Sequence, residues 1–203
     1  MAPNPYANAA RLPLLPEVDL GQVLPGALPR VLEIGSGRGQ FTVSLAAAEP
    51  GWAVLALEVR RKYAHLLDTR LRARGLGNAR CFAEDAGEVL PRLRPDGAFR
   101  RVAIHFPDPW WKKRHSKRLV VQDALVLELA RLVEPGGEVF VQTDVDSRAE
   151  EYRARFDAVG AFVNTAGDGV YVGESPFAPH RSNREARALT DGLPIYRLLY
   201  RRR

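Results

Sequence analysis

Arg30-Val31-Leu32-Glu33-Ile34-Gly35-Ser36-Gly37-Arg38-Gly39-Gln40-Phe41 decides the fold of this chain, because an apolar run passes through three spaced glycines straight into a helical pattern. The run Arg30–Ile34 predicts a strand. Phe41, Leu45 and Ala48, at three-to-four spacing, predict a helix over Gln40–Ala48. A glycine-rich turn between a strand and a helix lets a ligand approach backbone amides and the positive end of the helix.

Outward from that turn the alternation repeats. Ala53–Glu58, Arg80–Ala83, Arg101–His105, Glu138–Gln142, Ala161–Thr165 and Pro194–Tyr200 predict further strands. Helices are predicted over Arg61–Arg74, whose apolar face is Ala64, Leu67 and Leu71, over Leu119–Leu132, stopped by Pro135-Gly136-Gly137, and over Ser147–Val159. Strands separated by helices of this length imply a mostly parallel seven-stranded sheet with helices on both faces, its last pair including an antiparallel edge. Residues 1–29 hold six prolines and are expected to form a loose, flexible arm; residues 30–203 read as a single domain, with an insertion at 166–192.

Composition narrows the class. The chain of 203 residues carries 30 Lys+Arg against 24 Asp+Glu, a formal charge of +6 that favours polyanionic partners. One cysteine, Cys81, excludes an internal disulfide and a cysteine-based zinc cluster, which fits a reducing compartment and a cytoplasmic location. No apolar run is long enough to span a membrane, no metal spacing joins the four histidines, and no obligate protein partner is predicted.

Carboxylates recur where the predicted strands end. Glu58 closes the second strand and is placed to accept from ribose hydroxyls. Asp85 follows the third, able to accept from an adenine amino group while Ala86 offers its backbone amide. A dinucleotide fingerprint would place its last glycine near Gln40 or Phe41, and neither is glycine. Glu33, just before Gly35 and Gly37, is awkward beside a pyrophosphate but suits a sulfonium or an ammonium, directly or through water. The set implies an adenosyl cofactor, S-adenosylmethionine ahead of NAD.

After the fourth strand comes His105-Phe106-Pro107-Asp108-Pro109-Trp110-Trp111-Lys112-Lys113-Arg114-His115-Ser116-Lys117-Arg118. Two prolines stiffen the backbone around Asp108, two tryptophans can stack on a base, and five Lys/Arg from Lys112 to Arg118 can hold phosphates. Asp144, after the fifth strand, can accept from a guanine edge, or cap the helix that follows. The terminal arginines from Arg197 to Arg203 read as a weak phosphate stripe or a soluble tail. Asp-Pro-Trp also resembles the (Asp/Asn)-Pro-Pro-aromatic motif of amino methyltransferases, so methylation of another base stays open, as does a non-catalytic RNA-binding role.

LEIGSGRGQF (32–41), ALEV (56–59), Asn78 with EDA (84–86), HFPDPWWKKRHSKRLV (105–120) and GGEVFVQTD (136–144) together resemble the bacterial tRNA (guanine-N7)-methyltransferase family. The resemblance implies a Rossmann-like class I methyltransferase fold, S-adenosyl-L-methionine as cofactor and tRNA as substrate. By matching motif it places cofactor residues at Glu33, Glu58 and Asp85, the catalytic aspartate at Asp108, and substrate residues at Lys112 and Asp144. The family's Thr-x-aromatic-Glu segment falls on Ser182-Asn183-Arg184-Glu185, which keeps a hydroxyl and the glutamate, as substrate residues, but puts arginine at the aromatic position. The family's basic Gly-Arg motif before the first strand has no counterpart here beyond Arg11.

Overall fold

The computed structural model describes residues 5–24, 26, 28–107 and 119–203. Seven strands form one sheet: β1 (Arg30–Ile34), β2 (Ala53–Leu57), β3 (Ala79–Phe82), β4 (Phe99–His105), β5 (Val133–Thr143), β6 (Phe162–Asn164) and β7 (Tyr196–Arg202). They lie in the order β3-β2-β1-β4-β5-β7-β6, and β7 alone runs antiparallel to its neighbours. The longer helices are α1 (Gln40–Ala48), α2 (Arg61–Ala73), α3 (Asp123–Leu132), α4 (Asp146–Asp157) and α5 (Asn183–Thr190). Strand order reverses between β1 and β4, and a ligand crevice opens beyond the carboxyl ends of strands at such a point.

The pleat explains the two cores. Side chains alternate faces along a strand, so Leu32 and Ile34 of β1 join Leu55, Val102 and Val139 under α3 and α4. Val31 instead joins Val54, Ala103 and Phe140 under α1 and α2. Burial on both faces is why these strands are continuous apolar runs.

Three expectations are corrected. The helix read as Leu119–Leu132 begins at Asp123, because Gln122 is extended (φ −119°, ψ 165°) and its side chain ties back to the Leu119 carbonyl at 2.7 Å. Pro135-Gly136-Gly137 does not merely stop that helix. It falls inside β5, where a register shift between Phe99 and Arg101 accommodates it and a Cβ on Gly137 would lie 2.9 Å from the Arg100 carbonyl. The proline-rich arm is packed over its described residues. Leu12, Val18, Leu20 and Leu24 are buried in the α3/α4-side core, and Val18–Asp19 pairs in parallel with Leu93–Arg94. Proline opposes regular ladders, not burial, and the apolar residues between the prolines supply the packing.

Candidate active site

The glycine turn is shaped by two opposed demands. Gly35, Gly37 and Gly39 all have positive φ, which a side chain would strain. A Cβ on Gly39 would lie 2.3 Å from Leu67 of α2, whereas the position beside Gly35 is open and that beside Gly37 meets only the Arg60 guanidinium at 3.9 Å. Gly39 thus serves packing, while Gly35 and Gly37 present bare backbone to the crevice.

Glu58, immediately after β2, is almost fully buried. Its carboxylate accepts from the Gly37 amide at 2.7 Å and from the Arg60 amide and Nε at 2.9 and 2.8 Å. Glu58 therefore fixes the glycine turn from below, and Arg60, more than half exposed, covers it from solvent. Asp85, after β3, is exposed; it caps the one-turn helix Ala86–Val89 by accepting from the Gly87 amide at 2.8 Å. An open loop backbone beside a rigidly held carboxylate and a second acid suits an uncharged ribose and an adenine better than a pyrophosphate. The residues present fit an adenosyl group.

Glu33 is 1% exposed, and both its oxygens are engaged: Thr42 Oγ1 donates to one and His105 Nδ1 lies 3.3 Å from the other. Any influence on a cation passes through those partners. His105 packs edge-on against Phe41 (centroids 4.5 Å), and its Nε2 is buried with no hydrogen-bond partner among the described residues. No sequence spacing announces a pair 72 residues apart, but β1 and β4 are hydrogen-bonded neighbours and both residues lie near their carboxyl ends.

The chain leaves β4 through Phe106, the one described non-glycine residue with positive φ, at 49°. Its amide donates to the Gln142 carbonyl of β5 at 2.7 Å, and buried Tyr152 of α4 donates to the Pro107 carbonyl at 3.3 Å. Conformations of this kind persist where surroundings over-determine them. Asp108 and Lys112 lie outside the described residues, and the segment leading to Asp108 is held by these two contacts.

Across the crevice, Asp144 follows β5 and is paired with Arg184. Ser182 caps α5, accepting from the Glu185 amide at 3.1 Å. Glu185 turns inward, where Gln142 Nε2 donates to it at 3.0 Å and Arg197 lies 3.4 Å away. The structure thus brings Asp144, Ser182 and Glu185 together, although α5 was not foreseen. Ser-x-x-Glu at 182–185 is the capping signature that marks such a start. Arg197, read as part of a basic tail, is instead largely buried in β7 against Glu185. No group of three metal-ligand side chains occurs among the described residues.

Comparison with known proteins extends this geometry. Residues 27–198 match the model of a family described as "Putative methyltransferase". The tRNA (guanine-N(7)-)-methyltransferase of Alcanivorax borkumensis is 37% identical over 86% of this chain and 73% of its own length. That of Parasynechococcus marenigrum is 37% identical over 98% of this chain and 86% of its own. Among solved structures, the 16S rRNA methyltransferase KamB superposes with a TM-score of 0.59 at 17% identity, covering 86% of this chain and 87% of that one. The [4+2]-cyclase SpnF gives the same TM-score at 16% identity, covering 86% and 75%. These likenesses establish the Rossmann-like class I methyltransferase fold, and the cyclase among them shows that this fold alone does not fix a reaction.

Proposed function

The chain belongs to the tRNA (guanine-N(7)-)-methyltransferase family, and from that premise we propose that it methylates N7 of a guanine in tRNA, with S-adenosyl-L-methionine as the methyl donor. The observation that carries the reading is identity of 37% over nearly the whole chain to an enzyme of that name, over most of both lengths. When bound, the cofactor supplies a methyl group activated on a sulfonium.

The protein's own residues position and stabilise. Glu58 would accept from the ribose hydroxyls once Arg60 yields to the cofactor, Gly35 and Gly37 would admit it to the loop backbone, and Asp85 with the Ala86 amide would address the adenine. Glu33, held by Thr42 and His105, would act on the sulfonium end through those two partners. Guanine N7 presents an in-plane lone pair, so no proton is removed before attack, and the work is alignment and electrostatics. Methylation leaves positive charge on the base, which the Asp108 carboxylate stabilises. Asp144, Ser182 and Glu185 orient the guanine edge, and Lys112 with its basic neighbours holds the backbone. A cytoplasmic enzyme accords with the single, buried Cys81.

Incubation of unmodified tRNA with labelled S-adenosylmethionine, followed by nucleoside identification, tests the reading. 7-Methylguanosine is expected. Another methylated nucleoside would remove the guanine-N7 assignment, and cofactor binding with no turnover on tRNA would leave an RNA-binding protein.

A further inference from the structure

From Arg60 to Arg80 the chain carries seven Lys and Arg residues and one acid, Asp68. That segment's net +6 equals the charge of the whole protein, so the remaining 182 residues sum to zero. The structure separates these cations. Asp68 is buried and takes Arg72 and Arg80 at 2.9 and 3.0 Å, while Arg60 is committed to Glu58. Arg61, Lys62, Arg70 and Arg74 stay exposed, with no carboxylate within ion-pair distance among the described residues. Arg70 donates to the Arg38 carbonyl at 3.1 Å, joining this face to the cofactor-side glycine turn, where Arg38 is itself exposed.

Helix stability accounts for Arg70 and Arg72, which stand in the last turn of α2, but not for the cations of its first turn. A helix favours acids in its first turn and bases in its last, and α3, α4 and α5 comply, opening on Asp123, Asp146 and Glu185 and closing on Arg131, Arg155 and Arg187. In contrast, α2 opens on Arg61 and Lys62 with no acid and no side-chain cap. Further along, Arg70 and Arg74 stand four residues apart, where like charges repel. Local rules are broken in this way at functional surfaces. Aromatic rings interleave with the cations: Tyr6 lies 5.8 Å from His65 and 5.9 Å from Lys62 Nζ, and Tyr63 lies 4.3 Å under Arg60. Leu66 is the only exposed large apolar residue on the helix, too little to insert in a lipid surface.

We propose that the outer face of α2, with Arg38, is a second binding surface for RNA backbone, where Arg61, Lys62, Arg70 and Arg74 hold phosphates of the tRNA body. The proposal rests on the tRNA reading above and adds a place to it. Because α2 starts three residues after Glu58, its first turn stands at the cofactor rim. β2 and β4 are separated by β1 alone, roughly 10 Å at the usual strand spacing, so one RNA can reach both this face and the residues that follow β4.

The test is a triple variant, Arg61→Gln, Lys62→Gln and Arg74→Gln, which spares the Arg70 contact to the glycine turn. Titration with tRNA across a salt series should show the log–log slope reduced by about 2 to 3 and low-salt affinity weakened about ten-fold or more. S-adenosylhomocysteine affinity should stay within about two-fold. A matched variant away from the crevice, Arg100→Gln at the start of β4 with Arg155→Gln in the last turn of α4, should leave the slope unchanged. A wild-type slope in the triple variant, an equal loss in the matched variant, or loss of binding to phosphatidylserine vesicles with tRNA binding intact would each overturn the proposal. Wild-type protein in the same series keeps the two claims apart. If it forms 7-methylguanosine while the triple variant binds normally, only the α2 surface falls; if it binds no tRNA, both fall.

Discussion

Glu58 and Asp144 are each met by an arginine of the same chain, and the two pairings lead to different expectations. Glu58 also holds the Gly37 amide at 2.7 Å, so Glu58→Ala removes a charged acceptor and slackens the glycine turn together. S-adenosylmethionine and S-adenosylhomocysteine should both bind more weakly by about 1–3 kcal/mol. Calorimetry showing unchanged affinity for both would take Glu58 out of the cofactor site. In the proposed site Arg184, 42% exposed, would compete with substrate for Asp144, and pairs at such exposure are worth about 0–1 kcal/mol. Arg184→Ala should therefore lower the KM for tRNA by up to about five-fold, with kcat little changed; a raised KM would make Arg184 itself a substrate contact. Burial pushes the Cys81 thiol well above its usual range, with the nearby carboxylates adding to the shift and Ser36 opposing it. A thiolate-selective reagent at neutral pH should leave the folded protein unlabelled and take up one equivalent after denaturation, and rapid native labelling would contradict that environment. The places of Glu33, Glu58, Asp85 and Asp144 at or near strand ends are legible in sequence, because apolar runs mark where strands stop. The partners of these acids are not: His105 lies 72 residues from Glu33 and Arg184 lies 40 from Asp144, and only strand order brings them together.

Elements were legible where one face is continuously apolar and less so where polar contacts set their ends. α1 was read to both of its boundaries, and α2 to within a residue of its end. The start of α3 depended on the Gln122 side chain, and α5, only eight residues long with just Glu185 and Ala188 buried, offered a capping signature but little apolar periodicity. The charge order of α2 gives a prediction at this scale. Arg61→Glu with Lys62→Glu would restore the acidic first turn that α3, α4 and α5 possess. Each exchange should stabilise the helix by about 0.3–1 kcal/mol at low salt, raising Tm by a few degrees, about 2–4 °C per kcal/mol for a chain of this size. The same variant should lose tRNA affinity. A lowered Tm would mean that the two cations hold the native state through contacts of their own.

At the scale of the molecule, the amino-terminal arm is the part that sequence misjudged, and the reason is long-range. Six prolines spaced through residues 1–29 predicted looseness, yet the Ala83 amide donates to the Ala10 carbonyl at 2.7 Å and the Leu12 amide to buried Glu84 at 3.0 Å. Arg11 pairs with the same carboxylate at 2.7 Å, and this hydrogen bond to Glu84 raises the guanidinium pKa further. These bonds run alongside Asp85 at the cofactor rim. Farther along, Asp19 caps a one-turn helix that delivers Leu20, fully buried, into the core beneath α3 and α4. The arm is thus part of the cooperative unit, and Leu20→Ala should cost about 2–5 kcal/mol through lost burial and the cavity left behind. At about 2–4 °C per kcal/mol, Tm should fall by roughly 4–20 °C in a single transition. A loose arm would behave differently: the same substitution would leave Tm within about a degree of wild type, and thermal unfolding followed by circular dichroism separates the two outcomes. S-adenosylhomocysteine binding to the variant, measured well below its Tm, should remain, because Leu20 supports the fold from the far side of the sheet rather than the carboxylates along its rim.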